Sequence, residues 1–336
     1  MRRVYEENGV QSRMKQDVMV SVIVPTYNHE RYIRQALDSI FLQEIPWNIE
    51  VLIGDDCSTD NTIEIVREYA KKYPQIIRVF ENAYNLGASK NCYNLLINAK
   101  GKYLATLEGD DYWSDPYKLK IQIDFLESHS EYIGCAHKFI VVDENSCPLT
   151  NQCISWVKEK KIFTLSDYDG LAMPGQPSTF VRRNIFLDSN VDYSICYKIN
   201  RMILDRTLML FFLAQGNFYH IDRVMGCYRK VIRKGNCNIT SMEYVTKHSA
   251  LDDYQMTLAL EQIAEEMFNQ KINCQRTKHL LFAKAITNCI RFPGKMSAIE
   301  LITILQRMHN PIVEIIKSPY YIFLLLRYHI MYRRIQ

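Results

Sequence analysis

The chain has 336 residues, enough for one large domain with an appendage or for two domains. Its net charge of +4 is too small to indicate a nucleic-acid-binding protein without a localised basic patch. The ten cysteines include no Cys-x-x-Cys pair, and no stretch of 18 uncharged apolar residues occurs, which argues against a zinc site, a redox motif and a membrane span. Residues 1–17 are polar and lack the apolar core of a secretory signal, so we expect a disordered lead-in and a cytoplasmic protein.

The residues after this lead-in alternate between strand and helix patterns. Continuous apolar runs predict buried strands at residues 20–24, 49–53, 76–80 and 103–107. Apolar residues at helical spacing predict a helix after each of the first three strands, and we expect the third helix to close at Gly101. The short connections imply right-handed crossovers and a parallel sheet.

Acidic residues follow two of these strands. Asp55 and Asp56 come after the second strand, and Glu108, Asp110 and Asp111 come after the fourth. Open α/β sheets bind ligands at the carboxyl edge of their strands, so we expect the two groups to converge there. Adjacent carboxylates repel each other and gain from a cation, and oxygen ligands suit Mg²⁺ or Mn²⁺. The alternative is a solvated turn, in which Asp and Gly are common.

Beyond residue 113 the pattern is less regular. A helix is predicted from residue 115 onward, followed by strands at 133–136, 139–142 and 178–183. Residues 241–336 are mainly helical in pattern and form an extension. Its last part, residues 320–336, combines an apolar run with arginines, which favours an interfacial helix on an anionic membrane. The alternative is a helix docked on the enzyme or on a second subunit.

Asp205 lies in an otherwise apolar helical segment, residues 203–210. Burial of a carboxylate raises its pKa and reduces stability, so the residue needs a chemical reason to be there. The alternative is an ion pair at the start of the helix with Arg206 or Arg201.

Four runs carry a specific resemblance over residues 20–126: SVIVPTYNHERYIRQALDSI, EVLIGDDCSTDNT, NLGASKN and GKYLATLEGDDYW. In order and spacing they resemble the nucleotide-binding half of family 2 glycosyltransferases with the GT-A fold. The EGDDYW form resembles bacterial enzymes that build capsule, O-antigen or other surface polysaccharide. The resemblance implies a Rossmann-like, mixed but mostly parallel sheet flanked by helices. It divides a domain at 18–240 into a nucleotide-sugar half, 18–126, and an acceptor half, 127–240.

The resemblance also implies roles for individual residues. Asp111 is the expected ligand of Mn²⁺ or Mg²⁺, and Asp205 is the expected general base. Glu108 stands where relatives often have Asp, and Arg229 or Lys230 is left as the candidate for a phosphate contact. The expected donor-binding residues are Pro25, Thr26, Tyr27, Glu30, Asp55, Asp56, Lys90 and Asp110. Three of these have simpler alternatives: packing for Tyr27, bracing of its own loop for Asp55, and a solvated helix position for Lys90.

The predicted function is therefore an inverting glycosyltransferase that acts at the inner face of the plasma membrane. The donor would be a nucleotide-diphosphate sugar, with UDP or TDP, and the acceptor a free or lipid-linked saccharide. A sugar nucleotidyltransferase is the first alternative, but it usually opens with a glycine-rich loop, where this chain has Pro25-Thr26-Tyr27-Asn28. A non-catalytic nucleotide-sugar-binding protein is the second, and it would not need both Asp111 and Asp205.

Overall fold

The structure of the protein, a computed structural model, describes residues 18–150, 154–188, 191–231, 249–291, 294–308, 311, 315 and 318–323. The lead-in predicted at residues 1–17 lies outside these ranges. Most of the predicted membrane-contacting segment, residues 324–336, lies outside them as well.

The first half of the fold alternates strands and helices as predicted. Four parallel strands form this part, in the order β3-β2-β1-β4: β1 (Val20–Thr26), β2 (Ile49–Asp55), β3 (Ile77–Glu81) and β4 (Tyr103–Thr106). The connecting helices are α1 (Ile33–Phe41), α2 (Thr62–Lys72) and α3 (Ala88–Asn98). The parallel pairing brings the carboxyl ends of all four strands to one edge of the sheet.

Gly101 does not cap helix α3, which already ends at Asn98. Instead, its N–H donates to Oγ of Ser21 over 2.8 Å, and a Cβ at residue 101 would lie 2.5 Å from the backbone nitrogen of Ser21. The glycine is therefore needed because the chain passes close to strand β1, and the predicted helix cap was wrong.

The second half extends the same sheet with strands of both directions. Its elements are β5 (Tyr112–Trp113), α4 (Lys118–Ser128), β6 (Tyr132–Val142), β7 (Ile162–Phe163), β8 (Val181–Arg183), α5 (Ile195–Lys198), α6 (Asp205–Leu213) and β9 (Asn217–Arg229). Within the described residues, nine strands form one sheet in the order β3-β2-β1-β4-β8-β6-β9-β5, with β7 paired to β9. Strand β8 is antiparallel to both neighbours, whereas β6 and β9 are parallel. The predicted mixed α/β sheet is confirmed.

Two strand predictions in this half need correction. The strands predicted at 133–136 and 139–142 are one strand, β6, which continues through register shifts near Lys138. The strand predicted at 178–183 begins only at Val181, because Pro177–Thr179 form a 3₁₀ turn. The side chain of Gln176 stabilises this turn by accepting a hydrogen bond from the Ser178 N–H.

Helices cover both faces of the sheet. One core cluster joins the sheet to α1, α2 and α4, and a second joins it to α3 and α6. Three further helices follow: α7 (Ser249–Phe268), α8 (Gln275–Arg291) and α9 (Lys295–Arg307). Helix α7 contributes Met256, Leu260 and Ile263 to the second cluster, so the helical extension shares the core of the sheet. Among the helices of the described ranges, none is both long and apolar enough to cross a bilayer.

Candidate functional site

Three acidic side chains gather in the turn between β4 and β5. Glu108, Asp110 and Asp111 each place a carboxylate oxygen within 4.8 Å of the other two. This acidic cluster lies at the carboxyl edge of the parallel strands, as predicted.

Asp111 is held more firmly than its neighbours. Its Oδ2 accepts hydrogen bonds from Nε2 of Gln176 (2.8 Å) and Oγ of Ser178 (2.7 Å), and its Oδ1 accepts one from the main-chain N–H of Arg229 (2.8 Å). Gln176 also donates to Oε2 of Glu108 over 3.1 Å. Neither Gln176 nor Ser178 was predicted as a site residue. The polar run Gly-Gln-Pro-Ser before strand β8 is the signal that could have identified them.

The electrostatics of the acidic cluster fit a divalent cation. Burial, and next the negative charge of Asp110, raises the pKa of Asp111 to about 8. Burial also raises the pKa of Glu108 well above its usual range, with further contributions from Asp111, Asp110 and Asp205. Three carboxylates this close, two of them on buried residues, repel one another, and oxygen ligands suit a hard cation that would offset the repulsion.

The end of strand β1 forms one wall beside the cluster. The buried Thr26 places Oγ1 3.1 Å from Nδ1 of His29, and Nε2 of His29 lies 4.0 Å from Oδ2 of Asp110. The side chain of Tyr27 is 40% exposed, so it is not packed in the core and its ring is open to a ligand. Pro25 is half-buried. The sequence analysis did not single out His29.

Asp56 shapes the loop that leads into helix α3. Its carboxylate accepts hydrogen bonds from the N–H groups of Leu86 (2.7 Å) and Gly87 (2.9 Å) and from the side-chain amide of Asn82 (3.0 Å). Gly87 has a φ of +90°, which favours glycine. Asp56 thus braces this loop, and its contact with a nucleotide base stays a prediction.

Asp55 and Glu30 likewise bond to the protein. Asp55 accepts hydrogen bonds from the N–H and the hydroxyl of Ser58, which corresponds to the loop-bracing alternative. Glu30 accepts from the N–H of Asn61 over 3.0 Å, just before helix α2. Both residues therefore stabilise the loop wall of the site, and a ligand contact from either stays a prediction.

Lys90 lies in the first turn of α3. It is half-buried, with Nζ 5.7 Å from the centre of the Tyr197 ring. Lys90 is therefore not simply a solvated helix residue, as the alternative proposes, because the face of the Tyr197 ring stabilises its ammonium group.

Asp205 is the first residue of helix α6, and its Oδ1 accepts the N–H of Arg206 over 2.9 Å. Burial raises the pKa of Asp205, and its charge helps to raise the pKa of Glu108, so the two carboxylates lie within electrostatic range. Within the described residues, the Arg206 side chain pairs with Asp253 and that of Arg201 binds the loop after β3. Neither arginine forms the ion pair that the alternative requires.

Arg229, at the end of β9, joins several parts of the site. Its guanidinium donates to the carbonyl of Asp110 (2.8 Å) and to Oε1 of Gln35 (2.7 Å), and it lies over the rings of Tyr32 and Tyr112. The side chain is buried. These bonds hold the acidic turn against helix α1, and a phosphate contact from Arg229 stays a prediction.

Part of this sequence is similar to that of known proteins. An uncharacterised protein of Mycobacterium tuberculosis is 44% identical over 126 residues, which cover 38% of this chain and 36% of that protein. The poly(ribitol-phosphate) β-N-acetylglucosaminyltransferase TarS of Staphylococcus aureus is 37% identical over 111 residues, 32% of this chain and 19% of TarS. The matches thus cover about a third or less of the length of these relatives.

The fold comparison covers more of the chain. A crystal structure of S. aureus TarS 1–349 in complex with UDP-GlcNAc superposes with a TM-score of 0.61 at 22% identity, over 86% of this chain and 80% of that chain. Residues 21–189, half of the chain, match the family model described as glycosyl transferase family 2. The chain therefore belongs to glycosyl transferase family 2.

Proposed function

We propose that the protein transfers a sugar from a nucleotide-diphosphate donor to a hydroxyl group of a saccharide acceptor, with inversion at the anomeric carbon. The observation that carries this proposal is the cluster of Glu108, Asp110 and Asp111 at the carboxyl edge of the sheet, with Asp205 within electrostatic range of Glu108. A surface polysaccharide is the favoured product, because the related TarS is named for transfer to poly(ribitol-phosphate).

The donor in this proposal is a UDP- or TDP-sugar. The exposed ring of Tyr27 is available to the nucleoside, next to Thr26 and the loop that Asp56 braces. A UDP-sugar is favoured because the TarS structures hold UDP and UDP-GlcNAc. Lys90, at the first turn of α3, provides a cation near this loop.

Glu108, Asp110 and Asp111 are the residues that would hold Mn²⁺ or Mg²⁺. When bound, the ion would offset the negative charge of the diphosphate as it leaves. Asp111 already accepts three hydrogen bonds from the protein. Asp110 carries fewer such constraints, with His29 Nε2 at 4.0 Å from its carboxylate, so it keeps more lone pairs for coordination.

Asp205 is the proposed base. Burial raises its pKa, which makes its carboxylate a better proton acceptor than an exposed Asp. It would take the proton from the acceptor hydroxyl while the oxygen attacks the anomeric carbon. Attack from the side opposite to the departing diphosphate inverts the configuration.

A screen of nucleotide-sugars tests the proposal. We expect a UDP- or TDP-sugar to raise the melting temperature only with Mn²⁺ or Mg²⁺, because a ligand stabilises the state that it binds. Asp110→Asn should remove this shift. Asp124→Asn, a surface carboxylate paired with Lys120, should not. Incubation of the stabilising donor with saccharides should then release UDP or TDP and give a glycoside of inverted configuration.

Two other outcomes would reject the proposal. Release of pyrophosphate from a nucleoside triphosphate and a sugar 1-phosphate would identify a nucleotidyltransferase. A metal-dependent shift without product, across acceptors and with water, would identify a binding protein.

We also propose that the helical extension contacts an anionic membrane surface. Helix α9 exposes Met296 (59%), Ile299 (44%) and Ile302 (52%) on one stripe. Residues 271–336 hold 11 Lys and Arg but only two Asp and Glu, whereas the whole chain holds 41 and 37. Apolar side chains beside an excess of cations suit the inner face of a plasma membrane.

A further inference from the structure

A buried ion pair joins helix α6 to the helical extension. Nη1 of Arg206 lies 3.0 Å from Oδ1 of Asp253 on α7, and both side chains are less than one-tenth exposed. Arg206 also donates from Nε to the carbonyl of Gly170 over 2.5 Å and from Nη2 to Oγ1 of Thr257 over 3.3 Å. Lys284 of α8 lies 3.7 Å from the other oxygen of Asp253.

The loop formed by residues 168–170 contacts both the start of α6 and helix α8. The hydroxyl of Tyr168 donates to the carbonyl of Arg206 over 2.6 Å, and Asp169 pairs with Arg276 of α8 over 3.3 Å. Gly170 has a φ of +80°, and a Cβ there would lie 3.1 Å from the sulfur of Cys274. The start of α6 is therefore clamped between this loop and helices α7 and α8.

Helix α6 depends on these contacts because it lacks a side-chain cap. Its N-cap residue is Leu204, which makes no capping hydrogen bond, and the helix begins at Asp205. Uncapped N–H groups weaken the first turn of a helix. Asp205 itself satisfies one of them, at Arg206, so its carboxylate orientation is coupled to the position of Arg206.

A buried ion pair is weak evidence for stability, since desolvation of the two charges offsets most of their attraction. It does fix geometry, because removal of one partner leaves a buried charge unpaired. Arg206 is adjacent in sequence to the proposed base, Asp205. Its ion pair with Asp253 connects that base to helices that supply no residue of the acidic cluster.

We propose that Arg206 and Asp253 are positioning residues that hold the first turn of α6 and so aim the carboxylate of Asp205. This inference rests on the proposed function, in which Asp205 is the base. The helical extension would then contribute to catalysis, because Asp253 on α7 helps to orient Asp205.

Substitution of Asp253 tests the inference in the full-length protein. In Asp253→Asn we expect UDP release from UDP-GlcNAc with Mn²⁺ to fall roughly ten- to a hundred-fold per folded molecule, because small misplacements of a catalytic group have effects of that order. Affinity for UDP, measured by calorimetry, should stay within about two-fold, since the proposed donor residues lie elsewhere. Asp253→Glu, which keeps the charge, should recover most of the turnover.

Hydrogen exchange gives a second measurement that needs no turnover. The amides of residues 206–210 should exchange faster in Asp253→Asn. Glu261→Gln is the matched control, because it breaks a different ion pair between α7 and α8, with Lys278. It should leave both the exchange at the start of α6 and the turnover unchanged. If Asp253→Asn does not fold, Thr257→Val removes the bond to Nη2 of Arg206, together with the bond that the Thr257 hydroxyl donates to the carbonyl of Asp253, and should give the same changes at smaller size.

Different results would contradict the inference and the proposed function. Unchanged exchange at 206–210 together with unchanged turnover in Asp253→Asn would overturn the inference, as would equal losses in Glu261→Gln. In an Asp205→Asn background, Asp253→Asn should lower turnover no further, and an additional loss would show that the pair does not act through Asp205. Absence of turnover in the wild type with every donor would instead count against the proposed function, while the exchange measurement would still decide whether the ion pair holds α6.

Discussion

The candidate site includes four carboxylates, and they differ in what surrounds each of them. Asp111 is fixed by three protein hydrogen bonds, whereas Asp110 faces His29. Glu108 shares the amide of Gln176 with Asp111. Asp205 comes from a different helix and bonds only its own first turn among these groups. In the proposed mechanism the first three acids hold the cation, and Asp205 takes the proton.

Substitution of Asp205 should separate chemistry from binding. Asp205→Asn keeps the size of the side chain but removes the proton acceptor, so we expect turnover to fall by about 10²- to 10⁴-fold. Affinity for UDP with Mn²⁺ and the melting temperature should change little. The control is Asp192→Asn, which alters an exposed carboxylate bonded to Ser194. Near-normal turnover in Asp205→Asn would remove this residue from the mechanism.

Lys118 should make stability depend on pH. Its ammonium group is fully buried, 3.9 Å from the centre of the Trp113 ring, with Cys135 and His137 nearby. Burial lowers the pKa of Lys118 from 10.5 to about 7. Between these values the unfolded chain binds the proton and the folded protein does not, so stability rises with pH. Below about 7 both states are protonated and the full cost of burying the charge remains.

Lys118→Met should therefore stabilise the protein most at neutral and acidic pH. The difference in the free energy of unfolding between variant and wild type should shrink by up to about 1.4 kcal/mol per pH unit from about pH 7 to about pH 10. Urea unfolding at several pH values measures it. Lys120→Met, at an exposed position, should show no such slope, and a flat difference for Lys118→Met would refute the assignment.

Strands and helices with a local hydrophobic pattern could be predicted from the sequence. Elements whose structure depends on hydrogen bonds to residues far away in the chain could not. Strands β1 to β4 were predicted from short apolar runs, and the acids selected from the sequence lie at or just after the ends of β2 and β4. The turn at Pro177–Thr179 was missed because its partners, Glu108 and Asp111, lie 65 or more residues away. Nothing in the local sequence indicates such distant partners, so Ser178 was predicted to be in a strand and Gln176 was not selected.

Substitution of Gly101 tests how closely the chain at residue 101 packs against strand β1. In Gly101→Ala the new Cβ would meet backbone atoms of Val20 and Ser21 at 2.5–2.8 Å, and a central strand cannot easily move aside. We expect a loss of about 1–3 kcal/mol, as for other overpacked sites. Gly294→Ala is the control, because within the described part of the chain no atom beyond its sequence neighbours lies within 4 Å of its Cβ position. Equal unfolding curves for the two variants would contradict the close approach.

The whole molecule is asymmetric in charge. The excess of Lys and Arg lies in residues 271–336, and the exposed stripe of α9 is in the same part of the chain. A surface of this kind should bind anionic vesicles more strongly than zwitterionic ones, and less strongly at high salt.

Two negative charges on the exposed apolar stripe of α9 should abolish binding to anionic vesicles. We expect the double variant Ile299→Glu and Ile302→Glu to lose flotation with anionic vesicles, because it removes apolar contact and adds repulsion. The control, Gln75→Glu with Gln270→Glu, adds the same charge at exposed positions away from α9. Equal flotation of both would reject the stripe as the contact. Self-association of the wild type without vesicles, lost in the stripe variant, would identify a second subunit as its partner.

The bonds of Arg229 have a consequence for how the protein is made. Its partners Asp111, Asp110 and Gln35 precede it by 118, 119 and 194 residues. A growing chain therefore cannot complete the acidic turn until residue 229 has emerged from the ribosome. Until then Asp111 lacks the N–H group that bonds its Oδ1, so the proposed donor binding would have to wait until the chain has been synthesised as far as Arg229.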